Sequence, residues 1–251
     1  MTDGGLPPAA KSQSSQVSRY FSTLGYIVAM DAFEQSLEIQ AGDVVLDADI
    51  VIPEGSRGAV LFVHGSGSSR HSPRNRFVAG ELQAAGLATV LADLLTAEEE
   101  RRDARTAELR FDIRLLATRV VALTDWLADN KATAGLALGY FGASTGAAAA
   151  LIGATARPDQ VAAVVSRGGR PDLAGEHLPL VRQPTLLIVG GRDEAVIDLN
   201  RSAQQQLAGE APLEIVPGAG HLFEEPGTLE HVAQLARDWF VHHLRQRATS
   251  V

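Results

Sequence analysis

Serine, aspartate and histidine occur here in an order and setting that suit acyl transfer. Ser144 lies in Gly142-Ala143-Ser144-Thr145-Gly146, between an apolar run and an alanine-rich one. Such a Gly-x-Ser-x-Gly pattern places a serine on a sharp strand-to-helix turn with its hydroxyl exposed. A neutral hydroxyl is a weak nucleophile. It needs a base such as imidazole, which in general ionises near about pH 6.5, and the imidazole needs an acid partner to fix its tautomer. Asp193 follows the apolar run Thr185–Val189 through Gly190-Gly191-Arg192, and His221 follows Leu213–Val216 through Pro217-Gly218-Ala219-Gly220. Among the other histidines, His64 precedes Gly65 at a strand end, a place suited to supporting a loop. His71 and His177 fall in loops, and His231, His242 and His243 fall on the last helical segment. Each chosen residue also has an ordinary reading: a glycine-rich turn, a helix-start aspartate (with Glu194 as the neighbour that would substitute) and a solvated loop histidine.

The surrounding pattern supplies the elements. Ser36–Gln40 and Val44–Ile52 read as an antiparallel hairpin around Ala41-Gly42-Asp43. Six further short apolar runs come after it: Ala59–Val63, Leu87–Ala92, Leu136–Phe141, Val161–Val165, Thr185–Val189 and Leu213–Val216. Helical patterns are expected over Pro73–Ala85, Arg110–Asn130, Ser144–Thr155, Leu199–Leu207 and Thr228–Leu244, with Thr228 as N-cap of the last. The alternation predicts an α/β chain: one domain, a mainly parallel eight-stranded sheet with helices on both faces, and no large cap. Residues 1–33 read as a tail, disordered or partly helical, with the folded body starting near Met30; residues 34–246 form the domain and 247–251 a second tail. The charged stretch 96–112 reads as a solvated loop or helix start.

Ligands of open α/β sheets sit at the carboxyl ends of the strands, so the loops there are the places to look for a site. An oxyanion needs two backbone N–H donors. Thr145, after the serine, is one candidate. Ser66, in His64-Gly65-Ser66-Gly67, is the other. Arginines crowd the same loops. Arg70 and Arg170 are candidates for capturing a substrate carboxylate, against the ordinary reading of ion pairs with Asp93, Asp172 or Glu176.

Composition narrows the classes. The absence of Cys among 251 residues excludes a disulfide framework, a thiolate metal site and a cysteine nucleophile. A net charge of −8 argues against nucleic acid as the main partner. No apolar run nears the roughly 20 residues of a membrane span, and the first residues lack a basic-then-apolar secretory pattern, so a cytoplasmic enzyme is expected.

With Ser144, Asp193 and His221 in that order, the chain resembles the α/β-hydrolase superfamily over residues 36–245. The loops His64-Gly65-Ser66-Gly67-Ser68-Ser69 and Gly218-Ala219-Gly220-His221, on a capless body, resemble its dienelactone-hydrolase-like group. That group's namesakes carry cysteine at the elbow, where this chain has Ser144. The resemblance implies a serine esterase acting on a small accessible ester, lactone or thioester through an acyl-Ser144 intermediate, with no metal or organic cofactor. An acyltransferase or a non-hydrolytic member of the fold is the alternative. A remoter one is an NAD(P)-dependent oxidoreductase, suggested by Gly65-Ser66-Gly67 and Asp93. Against it, the third glycine of the dinucleotide fingerprint is missing and Ser72-Pro73 delays the helix.

Overall fold

The structure, a computed structural model, describes the backbone of residues 13–23 and 26–244 and the side chains of residues 31–244. Its strands are β1 (Gln13–Thr23), β2 (Tyr26–Ala41), β3 (Val44–Pro53), β4 (Gly58–Val63), β5 (Ala88–Ala92), β6 (Ala137–Ala143), β7 (Val161–Arg167), β8 (Thr185–Gly190) and β9 (Leu213–Val216). They form one sheet in the order β1-β2-β3-β5-β4-β6-β7-β8-β9. From β5 to β9 every pairing is parallel, while β1, β2 and β3 join antiparallel.

The apolar runs form the middle of the sheet because both of their faces are covered. Leu61 and Val63 of β4 pack toward α3 (Ile113–Asp129) and α4 (Thr145–Ala156). Val60 and Phe62, one residue out of phase, pack toward α1 (Pro73–Ala84) and α6 (Thr228–His243). This alternation is the period-two geometry of a strand, and helices on both faces remove the need for a polar side. The chain leaves β4 toward β5 on one side and returns to β6 on the other. That reversal opens the crevice where α/β sheets bind ligands.

Four elements differ from the sequence expectation. The tail predicted for residues 1–33 is strand from Gln13 to Thr23 and again from Tyr26, so the sheet has nine strands rather than eight. An edge strand is held by backbone pairing along its length, Gln13↔Ser36 to Thr23↔Tyr26, and needs little apolar alternation to form. The remainder of that tail (residues 1–12 and 24–25) and the tail at 247–251 lie outside the described residues. The charged stretch contains α2 (Ala97–Thr106), started by a capping box in which Thr96 and Glu99 exchange side-chain-to-backbone bonds. α5 runs Glu194–Gln204, beginning five residues before the predicted start at Leu199, and Thr228 stands inside α6 with Gly227 at its cap. Among the described residues no helix is long and apolar enough to cross a membrane.

α6 is fixed by a close fit. A Cβ on Gly139 of β6 would lie 2.6 Å from the Phe240 ring, so the glycine makes room for the aromatic side chain. Phe240→Ala therefore leaves a cavity under α6. The expected loss is about 3–5 kcal/mol. At about 2–4 °C per kcal/mol for a domain of this size, thermal unfolding should show Tm lower by roughly 10 °C.

Candidate active site

Ser144 sits between β6 and α4 with φ 51° and ψ −123°, a conformation L-residues avoid. Neighbouring backbone holds it there. A Cβ on Gly146 would clash with the Val63 carbonyl and stand 2.5 Å from that of His64, and one on Gly142 would lie 2.5 Å from Ala147 Cα. The turn is tied to β7 and to the loop leaving that strand: Ser144 N–H donates to Arg167 O at 3.2 Å and Arg170 N–H donates to Ser144 O at 3.0 Å.

Asp193 occupies the cap position of α5 without capping it. Its Oδ2 instead accepts from His221 Nδ1 at 2.6 Å. The ordinary helix-start role is thus unused, and the carboxylate fixes the imidazole's outward nitrogen as the other one, Nε2. The loop bearing His221 rests on the end of β7: a Cβ on Gly168 would lie 3.6 Å from His221 Cε1. The same loop is braced by Glu225, which accepts from Gly220 N–H at 3.0 Å and pairs with Arg192. Among the described residues the Ser144 hydroxyl has no hydrogen-bond partner, and the histidine is partly open to solvent. Serine, histidine and aspartate are thus carried on three separate loops, at the carboxyl ends of β6, β9 and β8.

The two expected oxyanion donors are not independent. Ser66 N–H donates to Thr145 Oγ1 at 2.9 Å, so one donor is engaged by the side chain of the other residue. The loop carrying Ser66 is locked from below by His64. Its Nδ1 bonds Gly65 O at 3.0 Å and its Nε2 accepts from Leu94 N–H at 3.1 Å, which assigns the neutral tautomer. Burial holds the His64 pKa below its ordinary value.

Neither candidate carboxylate-binding arginine is free. Arg70 pairs with Asp93, reaches Asp47 at 3.4 Å, and lies 3.9 Å from Asp49, which also binds Arg76 at 2.5 Å. Arg170 makes two 2.8 Å bonds to Asp172. Both arginines are held in the internal ion pairs of their ordinary reading, with Asp93 and Asp172. Arg110 goes unforeseen in the sequence because its acid partner lies seven residues away on a stretch that reads as a solvated loop or helix start. Its Nε and Nη2 bond the Asp103 carboxylate at 2.5 Å and the Asp103 carbonyl at 2.9 Å.

Arg167 is buried at the end of β7, with no carboxylate beside it among the described residues. Its Nη2 donates to Asn75 at 3.3 Å and its guanidinium lies over Phe223, 5.8 Å from the ring centre. Burial, with Arg74 nearby, lowers its pKa to about 10. One side chain thus touches α1 and the His221 loop while its carbonyl holds Ser144.

Two consequences are measurable. The folded state resists protonation of His64 and the unfolded chain does not, so stability is full above the ordinary pKa of 6.5 and declines as pH falls below it. Thermal unfolding of His64→Gln should lose part of that acid sensitivity. Arg167→Met removes an unpaired buried charge, so its Tm should hold or rise; a Tm lower by several degrees would show that its contacts outweigh its burial.

Comparison with known proteins agrees with this architecture. Residues 46–243 match the model of the Dienelactone hydrolase family. A dienelactone hydrolase of Anabaena variabilis is 60% identical with a TM-score of 0.83, over 84% of this chain and 98% of that one. Est1E of Butyrivibrio proteoclasticus, 16% identical over 83% of this chain and 98% of its own with a TM-score of 0.69, shares the fold. A Mycobacterium tuberculosis protein provisionally named phosphoribosyl transferase is 57% identical over 211 residues. That match takes in 84% of this chain and 47% of the relative, so the chain spans about half the length of the curated relatives it matches.

Proposed function

The chain belongs to the dienelactone hydrolase family, and we propose that it is a serine hydrolase of small carboxylic esters, lactones or thioesters. The observation that carries this reading is the 2.6 Å bond from His221 Nδ1 to an Asp193 that caps nothing, beside a serine in a strained turn. In the proposed cycle Ser144 Oγ attacks the carbonyl carbon as His221 Nε2 takes its proton. Asp193 holds the resulting imidazolium. The negative oxygen is met by Thr145 N–H at the start of α4 and by Ser66 N–H, which exchanges the Thr145 hydroxyl for the stronger charged acceptor. The imidazolium protonates the departing alcohol. Water, activated by the same histidine, then releases the acid from Ser144.

An acyl acceptor other than water would use the same acyl-Ser144, and nothing in the site favours it over hydrolysis. The phosphoribosyl chemistry in the relatives' name we assign to the part of those proteins that this chain does not span. Here the crevice beside the Ser66 loop carries Glu100 and Asp103 against the single cation Arg110, a balance that opposes a phosphorylated ligand.

Ser144→Ala should lower kcat on p-nitrophenyl acetate by at least about a thousandfold with the fold intact by circular dichroism. A fluorophosphonate should label Ser144 in the unmodified protein, read by peptide mass spectrometry. Retention of full activity by the variant overturns the assignment.

A further inference from the structure

A cavity of about 290 Å³ is lined on one side by the loop from His64 to Ser69. That loop packs directly on the Ser144 turn: a Cβ on Gly65 would lie 2.8 Å from Ser144 Cβ. The cavity therefore borders the loop that carries Ser66, beside the serine. Two apolar side chains, Leu95 and Leu116, face it, and Ser66, Ser68, Glu100, Asp103 and Arg110 supply polar groups.

The polar groups are unequal. Asp103 is buried and fully engaged: one oxygen accepts from Leu109 N–H and Arg110 N–H at 2.7 and 3.1 Å, the other from Arg110 Nε. Burial opposes its ionisation, but these bonds hold its pKa below the ordinary value. Its effect is to aim Arg110. With Nε and Nη2 taken, Nη1 is left without a protein acceptor among the described residues, and it faces Gly67 at 3.7 Å from where a Cβ would stand. Glu100 stands exposed at the rim, with no side-chain hydrogen bond or ion pair among the described residues. Burial and the charge of Asp93 raise its pKa.

We infer that this cavity is a substrate subsite for an uncharged, hydroxyl-bearing group, such as the alcohol portion of a polyol ester, with Arg110 Nη1 donating to one hydroxyl and Glu100 accepting from another. The pattern excludes the other classes. A hydroxyl both gives and takes a hydrogen bond, so it matches a wall that offers a fixed donor and a free acceptor. An anion gains Arg110 but meets Glu100 and Asp103, a lining charge of one negative unit in all. A long acyl chain finds too little apolar surface. The volume is at the small end of ligand pockets, about 300–1,000 Å³, and suits a group of a few carbons.

This inference rests on the ester-hydrolase reading, and its test separates the two. The wild-type protein is assayed on 1-monoacetylglycerol, propyl acetate and monomethyl succinate, with p-nitrophenyl acetate as reference. The first two share an acyl group and a three-carbon alcohol and differ in hydroxyls. Wild type should prefer 1-monoacetylglycerol to propyl acetate by about tenfold or more in kcat/KM, as expected of two added hydrogen bonds, and should turn over monomethyl succinate more slowly than either. Glu100→Ala, an exposed position whose side chain makes no bond to the fold, should cut that preference at least about fivefold. Equal rates on the first two esters, an undiminished preference in the variant, or a preference for the anionic ester each overturn the subsite alone. Failure to hydrolyse any ester, p-nitrophenyl acetate included, overturns the hydrolase reading and the subsite with it.

Discussion

Steric exclusion at the turn after β6 governs the rest of the site. The carbonyls of Val63 and His64 come so close to Gly146 that no side chain fits there, and α4 can start in only one direction. Ser144 is forced to a positive φ at a cost of about 1–3 kcal/mol, and the neighbouring segments offset it through hydrogen bonds from both sides of the residue. Because the constraint is between backbones, it ties β4 to β6 directly. The loop leaving β4, which carries Ser66, is placed by the same contact that strains the serine. The Ser144 turn and the proposed oxyanion loop are therefore one rigid feature, reinforced where Ser66 N–H meets Thr145 Oγ1.

The far half of the crevice rests on electrostatics and a buried cation. Arg167 spans α1 and the His221 loop without a counter-charge among the described residues, an arrangement that costs stability. The carboxylates of Asp49, within β3, and of Asp93, just after β5, are neutralised by Arg76 and Arg70. Arginine density around the crevice thus reflects internal pairing, with Arg110 alone aimed at the cavity beside the loop.

How far this was readable from the residues depended on whether a feature is local. Buried parallel strands announce themselves as unbroken apolar runs, so the eight strands from Ser36 on and the loops at their ends were legible, as were the positions of Ser144, Asp193 and His221. β1 was not, since an edge strand is secured by pairing with β2 rather than by a buried face of its own. α2 hid behind its charge, although Thr96-x-x-Glu99 is a capping-box signature visible in the sequence. The Ser66–Thr145 bond joins residues 79 apart, and the pairing of Arg110 with Asp103 needs α2 to exist first. Neither leaves a pattern that spacing could disclose.

The segment from Thr96 to Phe111 has an evolutionary consequence. It closes on itself through the capping box and through Asp103, packs chiefly on the turn at its own C-terminal end, and reaches the body mainly at Glu99–Arg119 and through Leu109. Almost none of its sequence is spoken for by the strained turn or by the Asp193–His221 pair. Substitutions there can drift without disturbing the Ser144 turn or the Asp193–His221 pair, while those at Glu100, Asp103 or Arg110 redraw the wall of the cavity beside the Ser66 loop. Descendants of this chain have in that segment a short stretch on which new preferences can be tried while the chemistry is inherited intact.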